Sequence, residues 1–235
     1  MNLNTIFRGP ATIDPPRLTL VTAPTVEPWT SADAEVQQAL RLDSDADSSY
    51  VDLVLKAARR YFEQVTGLCL ITQTWKVSND DIPVRQGQFG LEYGLAPSMS
   101  RFTGAAAGRE IRFARAPLQS VDSFIYLDEN GASQTFASSN YTVGSVGAAG
   151  AFGRLWLNQE ATWPSTGSYP GSIQITFTAG FGTAATDIPD DIRLALLYIA
   201  AHWYENRLPV TGDGVAELPH HLEALIASHR IAFIA

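Results

Sequence analysis

The stretch "AARRYFEQVTGLCLITQTWKV", residues 57–77, changes its period halfway. Val51, Val54, Leu55, Ala58, Tyr61, Phe62 and Val65 recur at helical spacing, which predicts a helix over 48–66. Gly67 stands where a helix ends on a left-handed residue. Arg59 and Arg60 lie in the C-terminal half, where positive charge suits the helix dipole. After the glycine, "TQTWKV" at 72–77 predicts a strand. The chain therefore crosses from a helical to a β region within one short segment.

Toward the N-terminus, a helix is expected over 30–41, with Thr30 as N-cap and Val36, Ala39 and Leu40 on its apolar stripe. Residues 1–28 hold Pro10, Pro15, Pro16, Pro24 and Pro28, which predicts an extended arm with a short strand at "RLTLVT". Toward the C-terminus, strands are expected at 110–113, 121–127, 133–136, 141–144, 153–157 and 172–181. In the last of these, Ile173, Ile175 and Phe177 alternate with Gln174, Thr176 and Thr178, as a half-buried strand requires. Asn130-Gly131 marks a hairpin. Helix returns over 188–206, apolar nearly all round and so covered on most sides, and again over 219–229.

The expected fold is α+β: a discontinuous bundle of four helices with an inserted antiparallel β-sandwich or barrel-like domain. The expected divisions are an arm at 1–28, a helical domain from 29–69 plus 186–229, a β domain at 70–185 and an apolar tail at 230–235.

Composition narrows the function. Charged residues are 17% of the 235, with a net charge of −8, and only two are lysines, Lys56 and Lys76. A protein that grips phosphates needs a basic face, and none is visible. Low charge suits a subunit that buries surface against neighbours. The one cysteine, Cys69, forms no internal disulfide and, between Leu68 and Leu70, reads as a core thiol. No secretion signal and no apolar run of about 20 residues is present, so synthesis in a cytoplasm and no membrane insertion are expected.

The polar end of "ALLYIAAHWYENR", 195–207, is the best enzyme candidate. His202 and Glu205 are three apart and can share a helix face, so a small hydrolase using them is one alternative. No G-x-S-x-G, H-E-x-x-H, G-x-G-x-x-G or P-loop accompanies them. The structural reading is a helix end tied down by its polar residues, with Arg207 near the negative pole. A second alternative is a β-rich surface or carbohydrate-binding module using the aromatics and the glycine-rich loops, which burial of Trp75, Trp156 and Trp163 would count against. No metal site is expected. Asp43, Asp45 and Asp47 alternate as in a calcium loop, but Ser48 and Val54 replace its glycine and glutamate. His220 and His221 do not share a helix face. No cofactor is expected.

Several phrases resemble the head–tail connector, adaptor or head-completion proteins of siphovirus-type tailed phages and gene-transfer particles. They are "LVTAPTVEPWTSADAEVQQALRLD", the segment Glu63, Thr66, Gly67, Leu70, Ile71, Gln73, Thr74 and Trp75, then "ARAPLQSVDSFIYLDENG", then "TFTAGFG" followed by "IPDDIRLALLYIAAHWYENR". The resemblance spans about residues 18–230. It implies a virion protein at the neck and no enzymatic activity. Copies would form a homo-oligomeric, dodecameric ring through the helical domain, below the portal protein. Stopper or tail-side proteins would sit beyond it, and DNA would pass through the lumen without specific binding. It also makes the "HWYENR" ending a structural feature.

Two partner-contacting segments are expected on this basis. The C-terminal tail, with Arg230, Ile231, Phe233 and Ile234, would dock into the portal. The long loop at 86–108 would meet another neighbour through Phe89, Leu91, Tyr93, Met99 and Phe102.

Overall fold

The computed structural model describes residues 17–42, 47–80, 109–206 and 220–231. Its elements run β1 (Arg17–Thr22), α1 (Ala34–Leu40), α2 (Ser48–Thr66), β2 (Gln73–Asn79), β3 (Glu110–Arg112), β4 (Leu118–Leu127), β5 (Ser133–Thr135), β6 (Tyr141–Gly144), β7 (Arg154–Leu157), β8 (Ile173–Ala179), α3 (Asp190–Glu205) and α4 (His220–Ser228). The fold is α+β, with four helices and two antiparallel sheets among the described residues.

The larger sheet has the order β1-β2-β8-β4-β5, and the smaller β3-β7-β6. Alternation along β8 sends Ile173, Ile175, Phe177 and Ala179 inward, all fully buried. They meet Ile111, Phe113, Leu155 and Leu157 from the other sheet, and the Phe113 and Phe177 rings lie 4.7 Å apart. This is a sandwich, closed by apolar side chains from both inner faces. The expected strand in the arm exists and belongs to the sheet: β1 pairs with β2, Leu20 opposite Trp75. The Asn130-Gly131 hairpin joins β4 to β5, with Gly131 at φ 77° and the Asp128 carboxylate accepting from the Asn130 and Ala132 N–H groups.

The second core is helical. Val51, Val54, Leu55, Ala58 and Phe62 of α2 pack with Ile192, Ala195, Leu196 and Ile199 of α3, Val36 and Leu40 of α1, and Leu222 and Ile226 of α4. Helix α2 has the expected limits and ends on Gly67 at φ 80°. Helix α1 starts later than expected. Asp33 Oδ2 accepts from the Thr30 N–H at 2.6 Å and its hydroxyl at 3.1 Å, closing a turn over 30–33, and Asp33 takes the N-cap position.

Segment 67–73 joins the two cores by alternation. Leu68, Leu70 and Ile71 enter the helical core, and Cys69 enters the β core. The last described residues bear on one expectation. Ile231, assigned to the docking tail, is only 7% exposed and belongs to the helical core. Its N–H donates to the Thr66 carbonyl at 3.2 Å, and its side chain lies over Gly67. An apolar residue one turn past a core helix finds burial in its own chain before it can wait for a partner.

Candidate functional site

The "AHWYENR" cluster resolves into helix anchoring. Trp203 sets its ring edge-on to Tyr61 at 5.5 Å, and Tyr204 donates its hydroxyl to Asp47 Oδ2 at 2.8 Å beside the Tyr50 ring. Both contacts tie the end of α3 to α2. Asn206 Nδ2 donates to the His202 carbonyl at 2.8 Å, closing the helix end. His202 is half-buried and Glu205 exposed, and among the described residues no hydrogen bond joins them. Arg207 lies outside the described residues.

The described residues hold no group of three or more His, Cys, Asp or Glu side chains placed to bind a metal. None of the five tryptophans is exposed. Trp29 is buried, and Trp75, Trp156, Trp163 and Trp203 are half-buried, so no β face presents a row of indoles for stacking on sugars. A shallow depression of about 350 Å³ lies far along the chain from His202, between Asp80 and residues 166–170. No described helix is long and apolar enough to cross a membrane.

The densest polar constellation lies at the junction of the two cores. Glu63 Oε2 accepts from Arg59 Nη1 at 2.7 Å, and Oε1 accepts from the Leu70 N–H at 2.9 Å and Gln73 Nε2 at 2.7 Å. Arg59 also holds Glu27, through Nε at 2.6 Å and Nη2 at 3.2 Å. Burial opposes the Arg59 charge, yet its two carboxylate partners outweigh burial and hold the guanidinium above its ordinary value. Burial pushes the Glu63 carboxyl above the usual range, against the pull of Arg59, the Leu70 N–H and Gln73. Arg59 is thus a buried ion-pair residue, where its sequence position suggested only a favourable dipole contact. Arg115 donates to the Glu63 carbonyl at 2.8 Å and stacks 4.9 Å over Trp75.

Backbone pairing completes the junction. Cys69 N donates to the Ala116 carbonyl, Ala116 N to the Gly67 carbonyl, Thr72 N to the Gly182 carbonyl and Gly180 N to the Pro117 carbonyl. At Gly180, φ is 143°, and an added Cβ would sit 2.6 Å from the Thr72 nitrogen. Burial, with the Glu63 charge close by, pushes the Cys69 thiol to about 12, so it is not a nucleophile. The carboxylate, guanidinium and backbone groups named here find partners within the chain, whereas the buried Trp75 Nε1 has no hydrogen-bond partner among the described residues. The junction is architectural, and apart from Arg59 and Glu27 its residues lie in the phrases "EQVTGLCLITQTW", "ARAPLQS" and "TFTAGFG".

Surface contacts are the remaining candidate sites. Arg230 is exposed, Ile231 is buried, and Phe233 and Ile234 lie outside the described residues. Phe89, Leu91, Tyr93, Met99 and Phe102 also lie outside them. Two faces that the sequence did not single out stand on the helices. On the outside of α2, Leu53 is 62% exposed, with Ala57 and Arg60 beside it. On the outside of α3, Leu194 and Tyr198 are 43% and 47% exposed. The all-round apolar pattern of α3 was the signal for the second face. Nothing in the described chain covers it.

No protein-family model and no curated protein matches the sequence. Solved structures do. The chain is similar, at 24% identity and a TM-score of 0.63, to a chain of the virion of a native gene transfer agent particle. It is similar at 22% identity to a chain in the neck of the empty particle, computed with C6 symmetry, and to one in the neck of the native particle, computed with C12 symmetry, with TM-scores of 0.65 and 0.61. Each likeness covers 93% of this chain and 97% of the other. The fold is therefore shared along nearly the whole length, helical and β parts together.

Proposed function

We propose that this chain is a structural protein of the neck of a tailed-phage-like or gene-transfer particle, a head–tail connector of the adaptor type. Copies form a closed ring below the portal protein. The far side of the ring receives stopper or tail-side proteins, and DNA passes through the lumen. The observation that carries this reading is the likeness, over 93% of this chain and 97% of the neighbours, to chains from the virion and neck of gene transfer agent particles. The adaptor role in particular is supported by the connector-like phrases, several of which fall on the junction between the cores and the others on α1 and α3.

Physical properties agree with a passive conduit. A net charge of −8 disfavours retention of phosphates near the ring surface. Among the described residues no hydrogen bond joins His202 and Glu205, the polar residues that looked most like chemistry. The tail beyond Ile231, with Phe233 and Ile234, is the segment proposed to enter the portal. Ile231, buried in the helical core, anchors that tail.

Deletion of the gene tests the role. Full-length heads and finished tails that accumulate unjoined, and are joined when the chain is supplied, are the expected outcome. Normal particles made without the chain would overturn the assignment.

A further inference from the structure

We propose that neighbouring copies join head to tail through the outer face of α2 on one copy and the outer face of α3 on the next. The inference rests on the ring reading and names the surface that builds the ring.

The two helices turn their inner faces into one core, so their outer faces look away from it in different directions. A contact between unlike faces leaves each partner with one face free, and repetition closes a ring. Both faces carry large apolar side chains that a soluble monomer leaves uncovered: Leu53 at 62% exposure on α2, Leu194 and Tyr198 at 43% and 47% on α3.

The two faces also match in spacing and sign. On α2 the outward positions 53, 57 and 60 are separated by four residues and then three. On α3, read backwards, positions 198, 194 and 191 are separated by four and then three. Antiparallel helices rise equally per residue, so one register sets Leu53 against Tyr198, Ala57 against Leu194 and Arg60 against Asp191. The small Ala57 leaves room for the larger Leu194. Arg60 makes no ion pair among the described residues. Asp191 is 58% exposed; one oxygen lies 3.2 Å from His229 Nε2 and the other accepts from the Ile192 N–H, leaving lone pairs for a guanidinium. The neighbouring charges have the same signs, Lys56 on the α2 face and fully exposed Asp190 at the start of α3.

Cysteine cross-linking in purified particles tests the pairing. The native Cys69 is buried and protonated, so it stays silent toward a short bismaleimide. The double variant L53C/Y198C is expected to give a ladder of chain multiples, and each single variant none. Charge reversal adds a second reading: R60D and D191R each lower the ladder yield about tenfold, and the two together restore it. No ladder from a chain present in rings overturns this interface and leaves the ring standing. Dimers from L53C alone, or a cross-link from either position to a different particle protein, overturn it as well. Absence of the chain from particles overturns the ring reading and the interface together.

Discussion

Gln73 Nε2 donates to Glu63 Oε1 at 2.7 Å, and this one contact ties the last turns of α2 to the first long strand of the sandwich. The same carboxylate holds Arg59 and the Leu70 N–H, so removing it leaves a buried guanidinium and two buried donors short of a partner. Glu63→Ala should cost about 3 kcal/mol in chemical denaturation. Loss of the exposed Arg17–Asp80 pair, 57% and 43% exposed, should cost less than about 1 kcal/mol. Equal losses would contradict the junction's structural role.

The Glu63 shift also sets a pH dependence. Its folded carboxyl binds a proton more tightly than the unfolded one, because burial raises it. That contribution to stability is complete below the ordinary glutamate value and is lost as pH rises through the raised folded value. Denaturation midpoints measured from about pH 4 to 7 should show this falling component in the native chain and not in Glu63→Gln. A component of the opposite sign would mean that Arg59 wins over burial.

Gly180 allows the end of β8 to pass against the backbone of residues 71–72. Gly180→Ala adds a Cβ at 2.6 Å from the Thr72 nitrogen and at a φ of 143°, where L side chains are strained. The atom it meets is backbone and has no rotamer to change. The variant should lose about 2 kcal/mol or more, read as a lower melting temperature. A neutral result would mean that the two segments separate easily.

At the end of α3, the anchoring residues and the supposed catalytic residue should behave differently. Tyr204→Phe removes the hydrogen bond to Asp47 and should cost about 1 kcal/mol. Trp203→Ala removes the packing on Tyr61 and should cost more, about 2 kcal/mol. His202→Ala should change stability by less than about 1 kcal/mol and leave particle assembly intact. Assembly lost in a well-folded His202→Ala would return attention to that side chain.

The C-terminus separates anchor from tail. Truncation after Ile231 should leave the melting temperature unchanged and abolish attachment to the portal. Ile231→Ala should lower stability by about 2 kcal/mol, since the side chain is buried in the helical core. Retained portal attachment after truncation would remove the docking assignment for Phe233 and Ile234.

Local chemistry made much of the fold legible. The limits of α2, the Gly67 cap and the alternation of β8 each follow from residues close in sequence, and the structure places them as expected. Two features depended on distant partners, and a third on a competition between neighbours. Arg59 pairs with Glu27, thirty-two positions away, so its burial was invisible in the helix pattern. Ile231 fills a space over Gly67 that only the folded bundle creates. At the start of α1, Thr30 and Asp33 both suit a cap, and the turn they close together decides between them. The functional surface was less legible than the fold. Several phrases that resembled a connector mark the junction, and one is α3 itself, yet the outer faces of α2 and α3 show as uncovered only once their inner faces are packed.

The most direct measurement is the copy number and position of this chain in purified, DNA-filled particles, by quantitative mass spectrometry together with a reconstruction of the neck. The connector assignment predicts on the order of a dozen copies in a single ring below the portal, the closed head-to-tail arrangement. Absence of the chain from mature particles, or its presence away from the neck, would contradict it.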